Sequence, residues 1–288
     1  MNLSREEFNM MREYIFEICG LAIRDEKEYL VRQRLEPLVR AAGCTSFAEY
    51  YKKIIRNPTA FETELIISAI TTNETSFFRD RHPFETFSRY ILPGLAEIIL
   101  QRKEQAHRRK GPKVRIWSSG SSTGQEAYSI AMLIQEFVSR GAYPGISPED
   151  FLILASDIST VALAKAISGK YTQAEVARGL SERHLKKYFY NAKPYWIIDE
   201  SVRNMVVFRQ INLAKPFSTV GGFDVIFCRN VLIYFNDKTK SRIFDQFYRI
   251  LSDEGCIILG ATENIYAVTD KFRSRRKGET LLYFKADK

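Results

Sequence analysis

The chain has 288 residues, enough for two domains, with apolar (45%) and charged (27%) fractions ordinary for a soluble globular protein. No apolar run reaches the roughly 18 residues that a membrane helix needs. The charged start MNLSREEFNMMREY lacks a signal-peptide core, so a cytoplasmic protein without membrane insertion is expected; the net charge of +9 suggests an acidic partner, whether nucleic acid, anionic lipid or protein.

The first seventy or so residues read as helices. Ser4 and Glu7 have capping-box spacing ahead of Phe8, Met11, Ile15 and Ile18. A second helix fits 26–42, with Tyr29, Leu30, Leu35, Leu38 and Val39 apolar and Gly43 as a stop. Its polar positions carry Arg32, Arg34 and Arg40, which form either a docking face for an acidic helix or ordinary surface. Ser46 and Glu49 open a third helix, and Asn57-Pro58 a fourth, with proline at the first helical position. TTNETSFFRD (71–80) breaks the pattern. Helix returns over 82–106 with a break near Leu92-Pro93, which places the domain junction within 71–92.

From residue 112 strands alternate with helices. Strands are expected at 114–119, 151–159, 205–213, 223–235, 255–262 and 280–286, and helices at 125–138, after 159 and at 238–251. This pattern predicts a mostly parallel sheet with helices on both faces and a ligand site at the carboxyl ends of its strands. Residues 190–208 read as a small antiparallel excursion or a long loop. Two basic clusters, within 102–115 and 271–277, read as solvated loops.

Three places carry chemistry. In IWSSGSSTGQEAYSIAM (116–132) a strand feeds a glycine-bearing turn and then a helix. The pattern is neither G-x-G-x-x-G nor a Walker loop, so it suits a nucleoside better than a phosphate. Asp157 ends the second strand, where an acid either binds a ribose hydroxyl or caps the next helix. Arg229-Asn230 interrupts an apolar strand, which suggests ligand contact or a buried ion pair; Tyr234 beyond it would by itself be assigned to the core. Cys19, Cys44, Cys228 and Cys256 form no CxxC pair and His82, His107 and His184 are far apart, so free thiols and no metal site are expected.

TTNETSFFRD, WSSGSSTGQEAYSIAM, ASDIST with the later GKY, and FDVIFCRNVLIYF occur in this order over essentially the whole chain. Together they resemble the chemotaxis receptor glutamate O-methyltransferases, the CheR family. Gln125 and Ala127 replace the Glu and Pro usual in that family's STGEEPYSIAM, while Glu126 is kept. The resemblance implies an α/β protein with a helical N-terminal receptor-docking domain (1–72). A linker (73–92) contributes to the cofactor site. The rest (93–288) is a Rossmann-like methyltransferase domain with a small antiparallel β subdomain at 190–208. It further implies S-adenosylmethionine as cofactor, S-adenosylhomocysteine as product and no metal.

By motif match, Asn73, Thr75, Arg79, Glu126, Asp157, Asn212, Leu213, Arg229 and Asn230 would line the cofactor site, with Arg79 and Tyr234 near the transferring methyl. If Arg32, Arg34 and Arg40 form a docking face, the receptor is what it would meet. The implied partner is the cytoplasmic helical region of methyl-accepting chemotaxis receptors, met by a monomer recruited to membrane-bound receptors. Some members dock a receptor's C-terminal peptide on a glycine-bearing subdomain loop. No glycine lies between Gly179 and Gly221, which favours a member that does not need the peptide. Two other functions compete: a nucleic-acid methyltransferase, which the basic charge would suit, and a non-catalytic S-adenosylmethionine-binding module. The first would commonly carry an Asp/Asn-Pro-Pro-aromatic motif where Cys228-Arg229-Asn230-Val231 stands, and no nucleic acid is expected.

Overall fold

The computed structural model describes residues 1–105 and 113–286. Four helices come first: α1 (Arg5–Cys19), α2 (Glu28–Ala41), α3 (Phe47–Arg56) and α4 (Ala60–Ile70). Each buries one stripe. Phe8, Met11 and Ile15 meet Val31, Leu35 and Val39, with Phe47, Tyr50, Ile66 and Ile70 closing the core. The Ser4–Glu7 capping box forms, and Gly20 ends α1 in the left-handed conformation. Helix α4 starts two residues later than Pro58 suggests. Thr59 is its cap because its hydroxyl accepts from the Glu62 N–H, which proline at the first position would not arrange.

A connecting strap (71–81) leads to α5 (His82–Thr86) and α6 (Leu92–Gln105). The break expected near Leu92-Pro93 is a π-helical turn over Phe87–Ile91. Proline lacks the N–H that a regular ladder would use, and the wider turn accommodates it without ending the helix.

The remaining elements are β1 (Val114–Ser119), α7 (Gln125–Ser139), β2 (Phe151–Asp157), α8 (Thr160–Ser168), β3 (Lys170–Tyr171), α9 (Gln173–Ala177), α10 (Glu182–Tyr188), β4 (Phe189–Ala192), β5 (Tyr195–Ile198), α11 (Glu200–Arg203), β6 (Val206–Gln210), β7 (Phe223–Cys228), α12 (Asp237–Ile250), β8 (Leu251–Leu259), β9 (Phe272–Lys277) and β10 (Thr280–Lys285). A seven-stranded sheet runs β6-β2-β1-β7-β8-β10-β9, parallel except where β10 pairs with β8 and β9. The order reverses direction at β1, and the carboxyl ends of β1, β2 and β7 meet there, the usual ligand position. Apolar clusters cover both faces: one built on Ile116, Ile130, Ile153 and Phe227, the other on Trp117, Ile226, Phe244 and Phe247. The molecule is thus a helical bundle followed by an α/β domain with a separate small sheet.

Three expectations change. The small sheet is β3-β5-β4: two of its strands lie at 189–198, within the expected 190–208, but the third is Lys170–Tyr171, and Val206–Gln210 is instead the edge strand of the main sheet. The strand expected over 223–235 leaves the sheet at Cys228, because residues 229–235 turn toward a cavity. The basic 271–277 cluster is not a loop but edge strand β9, whose residues after Phe272 are all exposed. An edge strand dense in cations resists pairing with other chains. In the other cluster, Arg102 pairs with Asp224 and Arg115 lies over Phe223, while residues 106–112 fall outside the described residues.

Candidate active site

The turn after β1 is held in an uncommon shape. Gly120, Ser122 and Gly124 have φ of +73°, +51° and +94°. A Cβ at Gly124 would sit 2.9 Å from that of Ala166, so glycine is required where α7 starts against α8. Ser122, an L-residue in this region, is fastened at both ends. Its N–H donates to Asp157 Oδ2 (2.8 Å) and its hydroxyl to the Asn73 carbonyl (3.0 Å). Asp157 Oδ1 accepts from the Ser159 N–H (2.9 Å), while Ser159 is itself the cap of α8. Asp157 therefore joins the β1 turn to the β2 turn, and burial pushes its carboxyl upward against the backbone bonds that lower it.

The second assembly centres on Arg229. Its side chain is 1% exposed and lies 5.4 Å from the Phe84 ring centroid. Nη1 donates to Glu126 Oε2 (2.8 Å); Nη2 donates to Asp80 Oδ2 (2.7 Å) and to the Arg79 carbonyl (2.8 Å). The other Glu126 oxygen accepts from Ser118 Oγ (2.9 Å). One guanidinium thus ties β7 to α7 and to the strap, whose Phe78, Asp80 and Arg81 have φ of +48°, +67° and +50°. Such strain persists only where neighbours over-determine it. Phe77 anchors the strap in the core, edge-on to Tyr171 and Phe189.

Between these assemblies lies a cavity lined by Asn73, Thr75, Arg79, Glu126, Asp157, Asn212, Leu213, Arg229, Asn230 and Tyr234, so every residue assigned to the site from sequence borders one space. Their engagement differs. Arg79 donates to the Glu74 carbonyl (3.0 Å). Asn212 turns its amide to the Ile18 carbonyl (2.9 Å) and accepts from the Ala214 N–H (3.0 Å), so its side chain fastens the α/β domain to α1. The helical module also reaches the far wall: Cys19 and Leu21 border the cavity, the Ala22 N–H donates to the Tyr234 carbonyl (2.9 Å), and a Cβ at Gly20 would collide with Ala214 at 2.3 Å.

The three α2 arginines part company. Arg32 is exposed, and Arg40 pairs with Glu36 on the surface. Arg34 is half-buried, with Nη1 donating to the carbonyls of Ile70 and Thr71 (both 2.8 Å), the orphan acceptors at the end of α4. It therefore clamps the start of the strap, with Nη2 donating to the Thr72 hydroxyl (3.1 Å) at the surface. Arg34→Ala is expected to lower unfolding free energy by about 1–3 kcal/mol. Arg32→Ala should stay within about 0.5 kcal/mol. Urea denaturation of the two variants compares them directly, and equal midpoints would contradict the clamp.

Sequence reasoning missed Asp80, Ser118 and Glu263. Asp80 closes the motif TTNETSFFRD, and its positive φ is not legible without the fold. Glu263 follows Gly260 just beyond the carboxyl end of β8, and an acid at that sheet edge next to β7 was the available signal. Cys228 is fully buried, desolvation pushes its thiol well above the usual range, and it is not among the residues that border the cavity. Among the described residues no helix is long and apolar enough to cross a membrane, and no three His, Cys, Asp or Glu side chains gather as a metal site.

Residues 73–280 match the family described as CheR methyltransferase, SAM binding domain, and residues 6–71 match CheR methyltransferase, all-alpha domain. A chemotaxis protein methyltransferase of Vibrio anguillarum is 35% identical, the match covering 98% of each chain. Chemotaxis protein methyltransferase 1 of Pseudomonas aeruginosa is 33% identical over 98% of this chain and 99% of its own. The chemotaxis protein methyltransferase of Salmonella typhimurium is 34% identical over 99% and 92%.

Proposed function

Because the chain belongs to the CheR methyltransferase family, we propose that it methylates glutamate side chains of methyl-accepting chemotaxis receptors, using S-adenosylmethionine. The products would be glutamate methyl esters and S-adenosylhomocysteine, and the role sensory adaptation. The observation that carries this is the convergence of the family-matched residues from strap, β1, β2, β6 and β7 on one cavity at the sheet's switch point.

The cavity suits a nucleoside sulfonium. Ser121 Oγ is buried on its wall with no hydrogen-bond partner among the described residues, which leaves a polar contact for a ligand. Glu126 and Asp157 supply negative charge, and the glycine-bearing turn lets a ligand approach the backbone closely. When bound, S-adenosylmethionine supplies an electrophilic methyl and a neutral leaving group.

A glutamate carboxylate is already ionised at neutral pH, with a reference pKa of about 4.3, so the chain needs no general base. Its residues have to orient and to exclude water. Asn73, Thr75, Glu126, Asp157, Leu213 and Asn230 would hold the cofactor, Asn212 and Arg229 would frame it, and Arg79 would take its methionyl end. Tyr234 would orient the acceptor. Placing Arg79 on the cofactor is preferable to placing it on the acceptor, because the acceptor loses its charge in the reaction and a tight ion pair would stabilise the ground state. Alignment alone can supply several of the about 7–11 kcal/mol available from approximation.

For recruitment, the α2 arginines Arg32, Arg34 and Arg40 are the docking candidates toward acidic receptor helices, Arg32 and Arg40 being the exposed ones, with a monomer as the acting species. The nucleic-acid alternative is disfavoured by the missing Asp/Asn-Pro-Pro-aromatic motif.

The deciding experiment transfers radiolabelled methyl from S-adenosylmethionine to receptor-containing membranes and then applies mild alkali. Label released as methanol supports a carboxyl ester. Alkali-stable label, or label only on added RNA, overturns the proposal, and cofactor binding without transfer points to the regulatory module. Tyr234→Phe is expected to lower kcat about tenfold or more, with S-adenosylhomocysteine affinity changed less than about twofold. Equal losses in both would remove Tyr234 from the acceptor side.

A further inference from the structure

We infer that Glu263 is a positioning residue for the reaction, setting the segment 229–234 that carries Asn230 and Tyr234. The inference rests on the proposed function of the cavity but on separate observations. Glu263 does not line the cavity. It is 9% exposed, and its carboxylate accepts backbone N–H donors from both sides of the β7–β8 edge. Oε2 takes the N–H groups of Asn230 (2.7 Å) and Gly260 (2.8 Å). Oε1 takes those of Leu232 (2.7 Å) and Ile233 (3.3 Å).

These donors have no ladder to join. β7 ends at Cys228, and residues 232–234 form a single 3₁₀ turn whose first N–H groups lack partners of their own. The Leu232 and Gly260 bonds are buried and those of Asn230 and Ile233 half-buried, so without the carboxylate these donors would favour a different path for the loop. A carboxylate is suited to them because both of its oxygens are acceptors with no proton to compete. It also holds Asn230 at φ +58°, in the left-handed region that asparagine tolerates better than most L-residues. Gly260 completes the device: a Cβ there would lie 2.6 Å from Glu263 Oε2 and 2.9 Å from the Asn230 nitrogen. From the opposite side the Ala22 N–H fixes the Tyr234 carbonyl. The segment is therefore pinned at both ends, and the Tyr234 ring projects from a backbone with little freedom to shift.

The consequence is kinetic. Glu263→Gln keeps one acceptor oxygen but turns an NH₂ group toward two N–H donors, and a shift of about 1 Å at Tyr234 can cost up to about a hundredfold in rate. We expect E263Q to lower kcat on receptor membranes about tenfold or more. In a Tyr234→Phe background the same change should cost less than about threefold, because the side chain through which it acts is already impaired. A general loss of stability would instead multiply the two effects. Gly260→Ala displaces the same carboxylate without removing it, and should reproduce the E263Q pattern if E263Q proves poorly folded. E263Q as active as wild type, or an undiminished loss in the Tyr234→Phe background, overturns the inference. A wild-type protein that forms no alkali-labile ester overturns the proposed function instead, and the two failures are told apart by that control.

Discussion

Replacing Arg229 by methionine is expected to destabilise the protein by about 3–5 kcal/mol and to remove measurable S-adenosylhomocysteine binding. Methionine fills a similar volume, so the cost is electrostatic. Two carboxylates lose their cation: Asp80, at 35% exposure, recovers part of its solvation from water, whereas Glu126, at 12%, cannot. Lysine should not rescue, since one ammonium cannot reach Glu126, Asp80 and the Arg79 carbonyl with the fork of a guanidinium. Glu126→Gln added to Arg229→Met should restore part of the stability, because it removes the stranded charge. Urea denaturation reads stability, and calorimetry with S-adenosylhomocysteine reads binding. A variant with an unshifted midpoint would mean that the ion cluster contributes nothing net, as some buried pairs do not.

The second large effect is expected at Gly179. Its φ is +102°, and a Cβ there would lie 1.9 Å from the Phe77 carbonyl oxygen. Backbone, not a flexible side-chain end, is what must move. Gly179→Ala should therefore cost about 3 kcal/mol or more, combining backbone strain with overpacking. Because Phe77 belongs to the strap that also carries Asn73 and Arg79, cofactor affinity should fall with stability. Gly141→Ala separates the two contributions: it shares the left-handed φ, +68°, but has nothing within 4 Å of the added Cβ. It should cost about 1–2 kcal/mol. If the two alanine variants melt alike, the contact between Gly179 and the strap is looser than its geometry implies.

These sites differ in how visible they are from sequence. The turn between β1 and α7, Asp157 and the polar pair after β7 each announce themselves within a few residues, because strand, turn and cap chemistry are local. The family motifs extended this to Asn73, Thr75 and Arg79 in the strap. What stayed hidden is made of long-range partners. Glu263 meets Asn230 across 33 positions of sequence, and Asp80 meets Arg229 across 149. Arg34 shows no local sign that its guanidinium turns toward the end of α4. β9 was read as a loop because the alternation that marks a half-buried strand is missing when every residue after the first is exposed. The small sheet was placed only in part, without Lys170–Tyr171 and with 199–208 added, because its strands are two to four residues long, too short to show a period.

The contacts of residues 18–22 with Asn212, Ala214 and Tyr234 bear on how such proteins diversify. A modular enzyme could acquire a new target by recombining its recognition half with an unrelated catalytic half. Here the seam between the halves runs through the wall of the cavity proposed for the reaction. A transplanted bundle would have to bring a glycine that tolerates Ala214 and an amide aimed at the carbonyl of Tyr234, or the chamber would be left open on one side. If the bundle selects the target, as proposed above, change in target choice is steered to its outer surface, where Arg32 and Arg40 of α2 are exposed, while the loop after α1 must co-evolve with the cavity.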